Sequence, residues 1–416
     1  MSHVGIIGGG IIGLSSAYYL NKEGFEVTIF DQGDLKVGCS TGNAGMIVPS
    51  HIIPLASPGM IAKGIRWMFD SKSPFYVRPR FSKDLVKWGY QFIRHANKEH
   101  VEYSIPALKS ISVFSKSMVQ QLAAELPFDF GYHERGLLML YRREESEKEE
   151  IETAHIANKA GIEARVLSPA EIQRLEPDVR VAARGGVFYP GDAHLSPQVL
   201  MENLILLLKE RGVQFRSNTV ITEFETNKNR ITGLNSSEAN FQLDMLVVAA
   251  GAWSGKLISK LGVSLPMQAG KGYSFTVRDI EKNTRIPTIF LGERVAVTPM
   301  GKDLRFGGTM EISGVDHAVN MRRVRGIYES ISNYYPDMKV MMPEPEHVWH
   351  GLRPCSPDGL PYIGRSGRYN NLIIATGHSM MGLSLGPGTG KLVCEIAQEE
   401  RTSISLAPFN PERYDR

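Results

Sequence analysis

Cysteine is nearly absent from this chain of 416 residues, which holds only Cys39, Cys355 and Cys394. They are too few and too scattered for a disulfide framework, and none forms the C-x-x-C pair of a zinc site, so three reduced thiols in a cytoplasmic protein are expected and no metal. No uncharged apolar run reaches the roughly 18 residues that a membrane-spanning helix needs. The opening MSHVGIIGGGIIGL lacks the basic n-region and small-residue cleavage site of a signal peptide. Charge of one sign is lacking too: 47 Lys+Arg against 44 Asp+Glu leave a formal +3. That balance argues no acidic partner and speaks against a dedicated nucleic-acid binder. With 42% hydrophobic and 22% charged residues the chain reads as a folded protein, long enough for two to three domains of roughly 150 residues.

What is present starts at the N-terminus. Residues 4–7 and 26–30 are short β-branched runs, and 11–22 between them can form a helix, which makes a β-α-β unit. The first strand leads directly into Gly8-Gly9-Gly10-Ile11-Ile12-Gly13, a G-x-G-x-x-G. Gly8 allows the tight turn, Gly10 lets the backbone approach a pyrophosphate at the helix N-terminus, and Gly13 lets helix and strand pack closely. Asp31, followed by Gln32, closes the second strand, where a carboxylate can accept from ribose hydroxyls. Strand, turn, helix, strand and acid in this order predict a dinucleotide site; the motif does not separate NAD from FAD.

Beyond it, Ser40-Thr41-Gly42-Asn43-Ala44-Gly45 and the prolines up to Pro58 read as loop. Between Lys63 and Lys98, cations such as Arg66, Lys72, Lys83, Lys87 and Arg94 outnumber Asp70 and Asp84 and interleave with Trp67, Phe69, Phe81, Trp88, Tyr90 and Phe92, a local basic aromatic patch. Helices are expected at 104–125, 147–159 and 199–208, with a capping box at Ser168-Pro169-Ala170-Glu171. Strands are expected at 220–224, 230–234 and 241–250, the last running into Ala249-Ala250-Gly251, a second approach of backbone to a cofactor. Residues 266–343 are mostly strand-like and end in a helix. A buried strand at 372–375 precedes a glycine-rich loop, 377–390, and an apolar helix to 396. Cofactor-like segments at the start, middle and end imply an α/β (α+β overall) fold: a Rossmann-like cofactor domain of 1–55, 147–265 and 345–416, with an inserted mixed-sheet substrate domain of 56–146 and 266–344.

Six ordered stretches carry a family resemblance: VGIIGGGIIGLSSAYYL, STGNAGMIVPSH with PLASPG, KGYSFTV, LRFGGTMEISG, WHGLRPCSPDGLPYIG and ATGHSMMGLSLGPGTGKL. The chain resembles the D-amino-acid oxidase superfamily of FAD-dependent amine oxidoreductases, most closely its bacterial D-amino-acid dehydrogenase branch. The resemblance implies that Gly8, Gly10, Ile11, Ile12, Gly13, Asp31 and Gln32 hold the ADP half of FAD. Ser40, Thr41, Asn43, Ala44, Gly45 and Met46 would line the pyrophosphate and flavin. Val220, Ala250, Gly251 and Trp253 would approach the adenine side, while Gly351, Arg353, Gly377, His378, Met380, Met381 and Gly382 would surround the isoalloxazine. In similar enzymes the arginine placed as Arg353 faces the substrate carboxylate, which a guanidinium binds in two-pronged fashion. Tyr273 and His51 are candidates for the pocket wall. A second cation found after Val-Pro in glycine-oxidase relatives is missing at Val297-Thr298-Pro299-Met300, leaving Arg305 as the next candidate. The position of a flavin-attaching cysteine in sarcosine-oxidase relatives is Gly351 here, so FAD is expected to bind non-covalently.

The implied chemistry is hydride loss from the Cα of a neutral D-amino acid amine to flavin, giving an imine that hydrolyses to a 2-oxo acid. The electron acceptor is a quinone, another carrier or O2. One evident cation, no acid or base ready for a charged side chain, and Met300, Tyr273, Met380 and Met381 in the wall favour D-proline or cis-4-hydroxy-D-proline. The alternatives are a glycine- or sarcosine-type oxidase, a nicotinamide dehydrogenase, and a flavin-dependent RNA-modifying or RNA-binding protein; for the last the basic aromatic patch speaks. The same patch could instead meet the inner face of the membrane, or be ordinary amphipathic helices. The oligomeric state is open.

Overall fold

The structure, a computed structural model, describes residues 2–36, 38–60, 64 and 74–415. Its first sheet has six strands in the order Tyr362–Arg365, Leu372–Thr376, Met245–Val248, His3–Ile7, Glu26–Phe30 and Gln214–Arg216. All pair in parallel except the Tyr362–Arg365 edge. Their sequences are near-continuous apolar runs, as parallel strands covered on both faces require. The helix Ile11–Lys22 lies where the β-α-β pattern puts it.

The glycine-rich stretch expected as a loop is mostly helix: Gly382–Ala397 is helical through Gly386, Pro387, Gly388 and Gly390. Packing overrides propensity here. A Cβ on Gly386 would meet Ile11, on Gly388 Ser115, and on Gly390 Ser15, each at 2.7 Å or less. Only a helix with bare backbone on these sides can nest against Ile11–Lys22 and the long helix Lys98–Glu125.

The second sheet has nine strands. Trp349–Cys355, Gln268–Val277, Asp303–Ile312, Val295–Met300, Thr288–Phe290, Leu137–Tyr141, Gly185–Tyr189 and Arg165–Leu167 follow in order, and Phe75–Val77 pairs in parallel with Asp303–Ile312. Strand pairing therefore crosses the expected boundaries: Arg165–Leu167, Gly185–Tyr189 and Trp349–Cys355 join this sheet although they fall in stretches expected for the cofactor domain. Directly opposed residues share a face, so Ser274, Gly307, Ala296, Ile289 and Met139 form one row across five strands. The opposite face, with Tyr273, Phe275, Phe306, Val297, Leu138 and Leu140, packs under the helix Met321–Tyr334. The small residues in the first row leave that face low, and the cavity lies over it.

Of the basic aromatic patch, residues 61–63 and 65–73, with Lys63, Arg66, Trp67, Phe69, Asp70 and Lys72, lie outside the described residues. The rest includes the strand Phe75–Val77 and the helix Lys83–His95, capped by Ser82. Its inner face buries Trp88, whose Nε1 donates to the Cys355 carbonyl at 2.9 Å. Its outer face exposes Val86, Tyr90 and Ile93, with Phe81 fully exposed just before it. No helix among the described residues is long and apolar enough to cross a membrane.

Candidate active site

One cavity of about 1490 Å³ runs from Asp31 and Gln32, past the N-terminus of Ile11–Lys22, to Arg353 and the low row of the second sheet. That exceeds the roughly 300–1,000 Å³ of pockets for drug-sized ligands and suits an elongated dinucleotide plus a small substrate.

At the first end the backbone itself is the binding surface. Gly8 has φ 113°, and a Cβ there would come within 2.4 Å of the Ala249 carbonyl, so the strand-to-helix turn accepts no other side chain. Gly10 caps the helix without any side-chain bond, and Ile11 N–H is met by Ser40 Oγ at 3.0 Å. Apart from that one bond the helix start carries no side-chain cap, and it faces the cavity, a form that binds phosphate. Asp31 accepts from Gly9 N–H at 2.7 Å and Gly33 N–H at 2.8 Å. A carboxylate has further lone pairs for ribose hydroxyls. Val220, Ala250, Gly251 and Trp253 complete this end.

The loop Ser40–Gly45 crosses the middle, and the second sheet holds it. Arg305 donates to the carbonyls of Thr41 at 3.0 Å and Asn43 at 2.8 Å, and Ser274 Oγ donates to the Gly42 carbonyl at 2.9 Å. Arg305 is thus buried in a structural task, and it is not among the cavity-wall residues. Burial lowers its pKa to about 10.

At the far end, Arg353 and Gly351 sit on the strand beside Gln268–Val277. A bulge opposite Gly272 turns the carbonyl of Thr309, a β-branched residue at φ 69°, toward the Arg353 guanidinium, which donates to it. Among the described residues no carboxylate pairs with Arg353, so its remaining donors are available to an anion. Burial lowers its pKa, opposed by the neighbouring thiols of Cys39 and Cys355. Across the cavity stand His378, Met380, Met381 and Gly382. Among the described residues, His378 Nδ1 and Trp349 Nε1 are buried without partners, and both residues line the wall. Such a set of unspent polar atoms fits the edge of a polar ring system.

Three expected cofactor residues do not line the wall. Gly13 backs onto the Gly8 carbonyl, where a Cβ would stand 1.9 Å away; Gly45 backs onto the Leu195 carbonyl, and Gly377 onto Tyr362. They allow close packing behind the site. Met300 is also outside the wall and reaches toward Gly45. Tyr273 is a wall residue, yet its hydroxyl donates to Glu311 at 3.0 Å on the core face, because β-alternation turns its side chain away from the side on which Arg353 overlies Gly272.

Sequence reasoning missed several wall residues. Glu149, Glu150 and Glu152 from the helix Glu144–Lys159, and Arg294 from the turn after Thr288–Phe290, also line the cavity. Acidic groups do therefore face it, contrary to expectation. Burial raises Glu150 to about 7, against a hydrogen bond from Tyr189. His51 is where it was expected, in the wall, and Ser50 beside it is bonded to the buried Asp192.

A helix N-terminus cradle continuous with a cationic end is the site of a protein that holds a dinucleotide beside an anionic small molecule. The profile of the family described as FAD dependent oxidoreductase matches residues 3–396, and the chain belongs to that family. FAD is its cofactor. The chain is similar to a D-amino acid dehydrogenase of Granulibacter bethesdensis, 30% identical over 98% of this chain and 99% of that protein. One of Neisseria gonorrhoeae is 29% identical over 99% of both. In fold it is similar to a glycine oxidase from Geobacillus kaustophilus, TM-score 0.78 at 24% identity over 100% of both chains. An L-proline dehydrogenase from P. horikoshii gives 0.73 at 19%, covering 100% of this chain and 98% of that one.

Proposed function

We propose that the protein oxidises a D-amino acid to its imine, which water converts to the 2-oxo acid or which stays cyclic when the substrate is proline-like. The observation that carries this reading is Arg353, a guanidinium that has no carboxylate partner among the described residues, at the end of the cavity away from Asp31. FAD, when bound, supplies the two-electron sink that takes hydride from the substrate Cα. Gly8, Gly10, Ile11, Ile12 and Asp31 would hold its ADP half, and Ala44, Met46, His378, Met381 and Gly382 its ring. Arg353 clamps the carboxylate in two-pronged fashion, and the row Ser274, Gly307, Ala296 forms the floor beneath the substrate.

The division of labour we propose gives residues 1–55, 147–265 and 345–416 mainly to FAD and 56–146 and 266–344 mainly to the substrate, with the strands named above bridging them. A compact cyclic secondary amine, D-proline or cis-4-hydroxy-D-proline, is the proposed preferred substrate: the low floor of Ser274, Gly307 and Ala296 suits a small rigid ring that loses little freedom on binding. Re-oxidation by a membrane carrier fits the helix Lys83–His95, whose exposed Val86, Tyr90 and Ile93 form one stripe flanked by Lys83, Lys87 and Arg94. An apolar stripe beside cations suits an anionic bilayer surface.

A dye-coupled assay with D-proline, cis-4-hydroxy-D-proline, D-alanine, glycine and sarcosine tests the substrate assignment. The highest kcat/KM is expected for the cyclic D-imino acids. A higher value for glycine or sarcosine would make the protein an amine oxidase of the glycine type.

A further inference from the structure

We propose that Asp192, Ser50 and His51 form a proton relay that draws a proton from the substrate ammonium into the protein interior. The proposal rests on the amino-acid reading above for the identity of the donor, and on geometry for the relay itself. Ser50 Oγ donates to Asp192 Oδ2 at 2.5 Å, and Ser50 N–H donates to Oδ1 at 3.1 Å. His51 Nδ1 lies 3.2 Å from the same Oγ. A hydroxyl has one hydrogen. With that hydrogen on Asp192, His51 must donate from Nδ1 to Ser50, which leaves Nε2 as a bare lone pair. His51 lines the cavity, and its Nε2 has no partner among the described residues.

A substrate amino acid enters as an ammonium, and its nitrogen must be freed of a proton before Cα can lose hydride. The relay balances without leaving a charge on the ring. The ammonium N–H breaks as Nε2–H forms; Nδ1–H breaks as an Oγ–H forms; the original Oγ–H breaks as Oδ2–H forms. His51 ends neutral in the other tautomer, and Asp192 ends as a carboxylic acid.

The surroundings favour that division of tasks. Burial, and then Arg294 from the turn before Val295–Met300, lower His51 to about 4, so it passes a proton on rather than keeping it. Burial raises Asp192 to about 7 against its two bonds from Ser50 and the charge of Lys116 on Lys98–Glu125. It can therefore take and return a proton near neutrality. Tyr189, whose carbonyl accepts from Asp192 N–H, has its hydroxyl turned to Glu150. His133 and His194, the latter in the strand Ala193–His194, face each other with tilted rings, and burial lowers His194 to about 3.

Two measurements on the FAD-loaded protein test the relay. The first is the nitrogen NMR of its histidines, with His51 assigned from the signal missing in His51→Gln. The expected signal is neutral, with hydrogen on Nδ1 above the titration of Asp192 and on Nε2 below it, and Asp192→Asn abolishes the switch. An imidazolium between pH 6 and 8 (roughly one unit either side of Asp192), or no switch in the wild type, would overturn the proposal.

The second is the anaerobic rate of flavin reduction by D-alanine across pH. Asp192→Asn and Ser50→Ala should each slow it about 10- to 100-fold near pH 7, with substrate Kd little changed, and should approach wild type near pH 10, where the amine arrives neutral. An equal loss at every pH, or none, contradicts the relay and makes these residues structural. Tautomer switching without reduction by any amino acid would leave the relay standing and defeat the substrate reading instead.

Discussion

The guanidinium of Arg353 lies directly over Gly272: a Cβ at that position would come within 2.2 to 2.3 Å of three guanidinium atoms. The glycine is therefore the seat of the arginine, and the two residues act as one unit. Gly272→Ala should displace the guanidinium and lower kcat/KM about 10- to 100-fold, a loss of roughly 1.4 to 2.7 kcal/mol. Arg353→Lys, which keeps the charge and loses the fork, should weaken substrate binding by about 2 to 5 kcal/mol. FAD content should stay at wild-type level in both. Unchanged kinetics in either variant would move the carboxylate site away from Arg353.

Arg305→Met should produce the opposite pattern. It leaves the carbonyls of Thr41 and Asn43 without their donor, at a cost of about 1.5 to 3 kcal/mol in stability. FAD should dissociate at least tenfold more readily as the Ser40–Gly45 loop loosens, while substrate Kd in the remaining holoenzyme is retained. Titration of the apoprotein with FAD measures this. A selective loss of substrate binding would restore Arg305 as a carboxylate ligand.

Acid precipitation should release the yellow colour into the supernatant. The family resemblance puts Gly351 where sarcosine-oxidase relatives carry a flavin-attaching cysteine, and Trp349 covers it, 2.1 Å from where a Cβ would stand. Cys39, the thiol in the cavity wall, is pushed by burial to about 11, so it stays protonated and unreactive. Colour retained in the pellet would show covalent attachment.

The β-α-β cradle was legible because it is local: turn, helix start and acid all lie within the first 32 residues, and each glycine has a mechanical reason. Arg353 was legible only through its surrounding block, and its orientation was not, since it depends on a bulge in a strand that pairs with the one beside it. The face of Tyr273 follows from strand register, which alternation leaves undetermined until the neighbours are known. Asp192 meets Ser50 across 142 residues and Arg305 meets Thr41 across 264. Neither pairing leaves a periodicity or a short motif. The glycine-rich C-terminal helix misled in the other direction, because intrinsic propensity counts less there than contact with two neighbouring helices.

If the helix Lys83–His95 rests on a bilayer, the protein should sediment with vesicles containing anionic lipid and leave them as salt is raised. Val86→Ser, Tyr90→Ser and Ile93→Ser together should abolish that binding without changing dye-coupled turnover. All three side chains are well exposed, at 70%, 63% and 61%, so folding should be little affected. Equal sedimentation with neutral vesicles, or binding to single-stranded RNA in place of vesicles, would contradict a lipid role.

The central claim is that this cavity presents the Cα of a D-amino acid to FAD. Anaerobic mixing of the yellow protein with the two enantiomers of one amino acid, proline or alanine, tests it most directly by following loss of flavin absorbance in a single turnover. The account predicts rapid bleaching with the D-isomer and little with the L-isomer. Bleaching by the L-isomer alone, or by neither while NADH or another reductant bleaches the flavin, would contradict it.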